Sequence, residues 1–383
     1  MLTARFGIVG GGLSGLWAAA LLEEQGIDDY VLLEAREMFG GRIRSEAVGT
    51  EVDGEQPTAG RFDLGATWFW PALQPELAAL VSNLRLEAFE QHEAGDMLVD
   101  RSEIGAPSRV RGYLSSPASM RIAGGMGALV DAVRRRLRST RLMRGQRVRT
   151  IRHTGTDIAL DTEDASGRGT TYRVAHVLLA VPPRLATATI EFMPSLPDAL
   201  VLAWRQTGTW MAPHAKYVAI YDAPFWRDQG LSGEARSMVG PLAEIHDASA
   251  PGGDAALFGF FGIAAETRSR ASEDMLRAHC RAQLARLFGA SAAMPKAELL
   301  KDWAGDPHTA TVADLHAASS QADAPEPSPR HGIWRGRIAG IASEWCPRFP
   351  GYVAGAVAAA GQGVAALTSP EIIPSSSPIP AKE

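Results

Sequence analysis

Phe6 to Val9 is a short apolar run, and Gly10-x-Gly12-x-x-Gly15 follows at once, before Leu13, Leu16, Trp17, Ala20 and Leu21 repeat at helical spacing. A strand, a tight turn and a helix in that order leave few folds open. Each glycine answers a separate demand: Gly10 a backbone turn that a side chain would block, Gly12 the close approach of a pyrophosphate, Gly15 the packing of helix on sheet. Free N–H groups and the positive end of the dipole at the helix start then face the phosphates. After Gly26 a second apolar run, Tyr30 to Leu33, ends in Glu34, at the distance where an acid accepts hydrogen bonds from a ribose. The unit reads as a complete ADP-binding βαβ half of a doubly wound α/β sheet.

Gly40-Gly41-Arg42 follows the second strand; read alone it is a loop glycine pair and a solvated arginine, and beside the fingerprint it argues for FAD among the dinucleotides. Two glycines again admit backbone to phosphate, and a guanidinium can pair with it through a two-pronged hydrogen bond. The run from Glu34 to Arg42 resembles the segment after the dinucleotide fingerprint in flavin-containing amine oxidases, the family of monoamine and polyamine oxidases. Phytoene desaturases and protoporphyrinogen oxidases share this signature, so it implies FAD more firmly than amines. The resemblance sets Gly10, Gly12, Leu13, Ser14, Gly15, Glu34, Ala35, Gly41 and Arg42 against the cofactor.

A chain of 383 residues, 46% hydrophobic, can bury the core of two or three domains. Its net charge of −5 gives no basic field for nucleic acid. Cys280 and Cys346 stand in no metal or redox spacing, and nine scattered histidines show no ligand pattern, so no metal site is expected. Two cysteines fit a reducing compartment, and the cytoplasm is the expected location. No membrane span is expected: the Ala-rich stretch Val353–Leu367 is too short and carries three glycines. The Ser- and Pro-rich tail 369–383 reads as disordered.

Further motifs extend the resemblance. Gly65, Ala66, Thr67 and Trp68 match the family segment that lies against the flavin ring, with Trp68 also walling the substrate cavity; read alone, Trp68 and Trp70 are ordinary core aromatics. Residues 71–118 lose periodicity and form an insertion into the second domain, shorter than in typical monoamine oxidases. A helix is signalled after Gly127, with Leu129, Val130, Val133 and Leu137 on one face, then strands over Arg147–Ile151, Asp157–Thr162 and His176–Val181. Here the resemblance implies a backbone contact from Val148 to adenine.

Lys216 opens a strand in which Tyr217, Ala219 and Tyr221 alternate with Val218 and Ile220. The match to amine oxidases is close over 209–226, and it implies that Lys216 holds a water against flavin N5; as a bare residue it would be an edge-strand lysine in water. His214 is read as structural. Strands over Ser237–Ile245 and Ala256–Ile263, and a helix burying Leu276, Cys280, Leu284 and Phe288, would build a sheet-and-helix substrate domain. Trp303 resembles the family's tryptophan beside the active site, and 317–331 is a polar, Pro-rich loop.

The last piece returns to the nucleotide domain. Arg337–Ser343 is a short strand, Glu344 follows, and a helix opens at Phe349–Val353. Ala342-Ser343-Glu344 stands where the family usually has Gly-Thr-Glu. The resemblance implies that Glu344 bonds the ribityl or phosphate region and that Val353 starts a helix aimed at the pyrimidine end of the flavin, where a positive dipole end stabilises negative charge. Tyr352 matches the aromatic cage; Trp334 and Trp303 are candidates for its second wall. Some members of the family it resembles bind flavin through a cysteine just ahead of this strand; none stands there and Cys346 follows Glu344, so FAD is expected to be non-covalent.

The fold expected is therefore α/β: a Rossmann-type FAD domain from 1–70, 119–190 and 333–368, and an α+β substrate domain with a mixed sheet from 71–118 and 191–332. The activity implied is oxidation of an amine to an imine with dioxygen as acceptor, Lys216 and Tyr352 carrying the chemistry and Trp68, Trp303 and Tyr352 the substrate. Two rivals remain open, a FAD desaturase or dehydrogenase acting on C–C bonds and a flavin-binding scaffold with little catalysis. The amine and the oligomeric state are left open.

Overall fold

The computed structural model describes residues 2–48, 60–139, 141–316 and 323–369. The expected tail, beyond Ser369, lies outside these residues, as do 317–322 of the expected loop. Two sheets meet across one cleft. The first has eight strands, and its centre is the pair predicted from the fingerprint. Strand Leu2–Val9 runs parallel to Tyr30–Leu33 on one side and to Gly169–Leu179 on the other. Leu142–Met143 extends the first edge, Ile338–Gly340 pairs with Gly169–Leu179, and an antiparallel set, Arg147–His153 and Ile158–Glu163, reaches the other edge at Glu191–Met193.

The central strands are apolar throughout because both their faces are covered. On one face Phe6, Ile8 and Leu32 meet the helices Leu13–Glu24, Gly127–Arg136 and Val353–Thr368, where Ala18, Ala19, Ala354 and Ala360 let the helices lie close. On the other, Val9, Val31, Leu33 and Val177 pack with Trp204, Trp334 and Trp345.

The second sheet has seven strands in the order 297–302, 215–221, 255–261, 242–247, 231–237, 96–100 and 108–111, antiparallel except between 231–237 and 96–100. Period-two alternation sorts its side chains. Tyr217, Ala219 and Tyr221 face the helix Glu273–Phe288, against Leu276, Cys280, Leu284 and Phe288. Val218, Ile220 and Phe258 face the other way, onto Phe62 and Leu64 of strand Arg61–Asp63 and its sequel. That second packing brings the sheet to the cleft, and Lys216 lies in register on its cleft face.

Three expectations are corrected. The strand over Ser237–Ile245 is two strands, Leu231–Ser237 and Leu242–Asp247, joined by a turn through Gly240 at φ +86°. Helix Pro75–Asn83 buries Leu77, Leu80 and Val81 with Phe6 and Leu129, so the inserted segment does not leave the first sheet at residue 71. Residues 191–206 also stay with that sheet, through the pairing of Glu191–Met193 and the burial of Leu200 and Trp204, so the boundary at 190 moves past Gln206.

Candidate active site

A cavity of about 370 Å³ runs from the fingerprint turn, between the two sheets, to a cluster of aromatic rings. At the turn the three glycines differ in what surrounds them. Gly10 adopts φ +107°, and a Cβ there would come within 2.9 Å of the Ala180 carbonyl oxygen. At Gly15 a Cβ would fall 2.0 Å from the Gly10 oxygen, so this residue serves helix-on-strand packing and leaves the cavity wall to others. Gly12 is different: a Cβ would find nothing nearer than 3.8 Å within the protein, and the space it leaves belongs to the cavity. The protein itself does not require glycine at 12; a group brought up to the backbone does. Gly12 is also the N-cap of the first helix with no side-chain cap, so Leu13 and Ser14 offer their N–H groups where a phosphate would sit. These residues fit a dinucleotide.

Glu34 is buried at the end of the second strand. Its carboxylate accepts the Gly11 N–H at 2.6 Å and the Arg36 N–H at 2.8 Å, which fixes it on the wall beside Ala35 and Val148. The Arg36 guanidinium donates to Asp306 Oδ1 (2.8 Å) and Thr309 Oγ1 (3.0 Å), tying the loop after strand Ala297–Asp302 to this end of the cleft. Gly41 and Arg42 line the middle. Arg42, however, holds both oxygens of Glu344 (2.5 and 2.9 Å), and Glu344 is buried away from the wall. Glu344 thus stands behind Arg42, its carboxylate taken up in orienting the guanidinium.

At the far end, Gly65, Ala66, Thr67 and Trp68 form one wall. Trp68 is held by its indole N–H on Gln91 Oε1 (2.7 Å), with Gln91 anchored to the Asp247 carbonyl (2.8 Å), and by its edge against His246. Opposite stands Tyr352, the N-cap residue of the last helix, followed by Val353. Its ring lies nearly parallel to Trp210, 20° apart with centroids separated by 6.5 Å, and Trp70 closes the side edge-on at 6.4 Å. Trp210 reaches this place because Met211 takes a left-handed φ of +68°, rare for a side-chain-bearing residue, and because Gly351, at φ +81°, leaves the room that a Cβ would close to 2.5 Å of Trp210. The Trp210 carbonyl accepts from Arg42 at 3.2 Å.

The candidates for the second aromatic wall are corrected accordingly. Trp303 is 1% exposed, donates to the Leu64 carbonyl at 2.9 Å and does not line the cavity; Trp334 lies in the core beyond the first sheet, donating to the Pro194 carbonyl. Trp210 takes that position. Its signal in the sequence was an aromatic six residues before the strand lysine, which only the fold connects to Tyr352.

Lys216 is likewise not on the wall. It is 1% exposed, with Nζ donating to Thr67 Oγ1 at 2.5 Å and to the Gly65 carbonyl at 3.5 Å, and sitting 3.9 Å from the centre of the Phe258 ring. Burial pushes its amine down to about 7, against the opposing pull of Asp63. Asp63 accepts the Met126 N–H at 2.8 Å and bonds Ser45, and burial raises its carboxyl. Arg121, also buried, caps the Ala248 and Ser249 carbonyls nearby. Nothing in the spacing of 63, 121 and 216 foretold this cluster.

Residues 106–368 match the family described as flavin containing amine oxidoreductase, and 8–84 match the NAD(P)-binding Rossmann-like domain. The probable flavin-containing monoamine oxidase A of Dictyostelium discoideum is 31% identical over 188 residues, 48% of this chain and 39% of that protein. The putrescine oxidase of Kocuria rosea is 30% identical over 167 residues, 39% and 34% of the two chains. The match thus spans about two fifths or less of these curated relatives. Among solved structures, a redesigned putrescine oxidase superposes with a TM-score of 0.76 at 20% identity, covering 96% of this chain and 99% of that one. The cyclohexylamine oxidase of Brevibacterium oxydans IH-35A gives 0.72 at 18%, covering 95% and 98%. At such identities the likeness is one of fold.

Proposed function

The chain belongs to the flavin-containing amine oxidoreductase family, and from that premise we propose that it binds FAD without a covalent link and oxidises a small amine to its imine. The observation that carries this reading is the parallel pair Trp210 and Tyr352, set at the opposite end of the cavity from the phosphate turn. Bound FAD supplies the hydride acceptor, with dioxygen taking the electrons on to hydrogen peroxide.

The chain's own residues bind, orient and dry the site. Gly12 and the first helix's N-terminus take the pyrophosphate, and Glu34 takes the ribose. The last helix, whose N-cap Tyr352 and first residue Val353 line the cavity, would set the positive end of its dipole against the bound ring. Trp210 and Tyr352 present two π-faces to the amine, with Trp68 and Trp70 closing the sides. Such a wall favours the neutral amine over its ammonium form, because removal from water disfavours the charge. The neutral form is the one able to give up hydride from its α-carbon.

Neither cysteine lines the cavity, and both are buried free thiols, which supports a non-covalent cofactor and a reducing, cytoplasmic setting. Among the described residues no helix is long and apolar enough to cross a membrane. We assign the FAD domain to the eight-stranded sheet with its helices and the substrate domain to the seven-stranded sheet. Anaerobic mixing with a panel of amines tests the proposal: bleaching of the flavin by at least one amine, and peroxide on admitting air, are expected. A yellow protein that no amine bleaches refutes it.

A further inference from the structure

We propose that the Thr67 hydroxyl, and not the Lys216 amine, is the group that meets the reacting end of the cofactor, with Lys216 behind it as a positioning residue that fixes which way the Thr67 proton points. The argument begins with placement. Thr67 lines the cavity and Lys216 does not, and the Thr67 Oγ1 contact at 2.5 Å is the shortest the amine makes. Its other partners are the Gly65 carbonyl at 3.5 Å and the Phe258 ring.

Donor arithmetic does the rest. An ammonium has three donors and no acceptor, so Thr67 Oγ1 can only accept from it. The hydroxyl proton must then turn elsewhere. The Gly65 carbonyl, at 3.4 Å, is a long and weak alternative, which leaves the cavity. Once the amine loses its proton it gains a lone pair, and Thr67 can donate back to it. The wall then offers the cavity an acceptor where it had offered a donor.

Charged neighbours set where this reversal falls. Asp63 favours the ammonium, while burial and Arg121 oppose it. On the adjoining strand Lys301 lies opposite in register, its charge directed to Asp306 at 2.9 Å, and on the far side of Phe258 His246 is paired with Glu244. The amine is held down to about 7, so the reversal belongs to the neutral range.

The proposal rests on the reading that the FAD ring lies along 65–68, and its test needs no turnover. The absorption spectrum of bound, oxidised FAD is recorded from about pH 5.5 to about 9 in the wild-type holoenzyme and in Thr67→Val, Thr67→Ser and Lys216→Met. A titration near neutrality is expected in the wild type and in Thr67→Ser, and a flat response in Thr67→Val and Lys216→Met. Where an amine reduces the flavin, Thr67→Val is expected to slow anaerobic reduction on the order of a hundredfold, as for loss of one preorganised donor, and Thr67→Ser to restore most of it. Thr67→Ala replaces Thr67→Val if the latter retains no FAD. A wild-type spectrum that does not titrate, or a hydroxyl-free variant that titrates and reacts like the wild type, overturns the proposal. A wild-type protein that takes up no FAD refutes the FAD reading instead.

Discussion

Alanine at Gly12 should cost the cofactor and spare the fold, while alanine at Gly15 should do the reverse. Gly12 has φ −72° and ψ −179°, open to any residue, and its added Cβ would come no closer than 3.8 Å to protein atoms. The cofactor-free protein should therefore change in stability by less than about 0.5 kcal/mol. At Gly15 the same atom would lie 2.0 Å from the Gly10 oxygen, and parting helix from strand to relieve it costs about 2 kcal/mol or more. For FAD the order inverts. A methyl group at 12 moves the pyrophosphate off the helix N-terminus, and losing one charge-assisted hydrogen bond, about 1.5–3 kcal/mol, weakens binding roughly 10- to 150-fold. Thermal melts of the stripped proteins and FAD titration by flavin fluorescence measure the two quantities separately. Equal destabilisation by both substitutions, or wild-type FAD affinity in Gly12→Ala, would refute the division of labour among the glycines.

Trp210→Ala removes one face of the aromatic pair; FAD content should stay full while the amine concentration for half-maximal bleaching rises about tenfold, as expected for roughly 1 kcal/mol of ring contact plus lost area. Arg42→Met strands the buried Glu344 carboxylate and should lower unfolding stability on the order of 3 kcal/mol, with Arg42→Met/Glu344→Gln recovering most of it in urea titrations. Lys216 binds its proton more weakly folded (about 7) than unfolded (near 10.5), so between these values the unfolded state carries more protons and stability rises with pH. Lys216→Met should flatten that rise in melts taken across the window, and an unchanged slope would remove the lysine as its source.

What the sequence made legible was local. The fingerprint turn, Glu34 and Gly40-Gly41-Arg42 lie within one βαβ unit, where hydrophobic period and glycine placement fix the geometry. The strand opening at Lys216 and the helix after Tyr352 could also be read from periodicity. Pairings between distant segments could not. Arg42 meets Glu344 across 302 residues, and neither charge names its partner. Trp303 and Trp334 read as the ring candidates and Trp210 does not, because burial by the fold, and not residue type, decides which tryptophan faces the cavity. Lys216 reads as the opening of a strand, but its length of reach, stopping at Thr67, depends on how closely Phe62 and Leu64 press against the sheet.

Tyr352 has two duties, as a ring beside the cavity and as the residue where the last helix begins. Its side chain makes no cap hydrogen bond, so the helix start rests on an extended backbone, φ −85° and ψ 162°, that another residue can adopt. Trp210 likewise joins a ring to a backbone duty, its carbonyl holding Arg42, and it rides on a short loop whose path is set by Met211 and Gly351. Both rings can therefore be exchanged while those backbone duties stay in place, and a library aimed at a reshaped cavity should randomise 210 and 352 together.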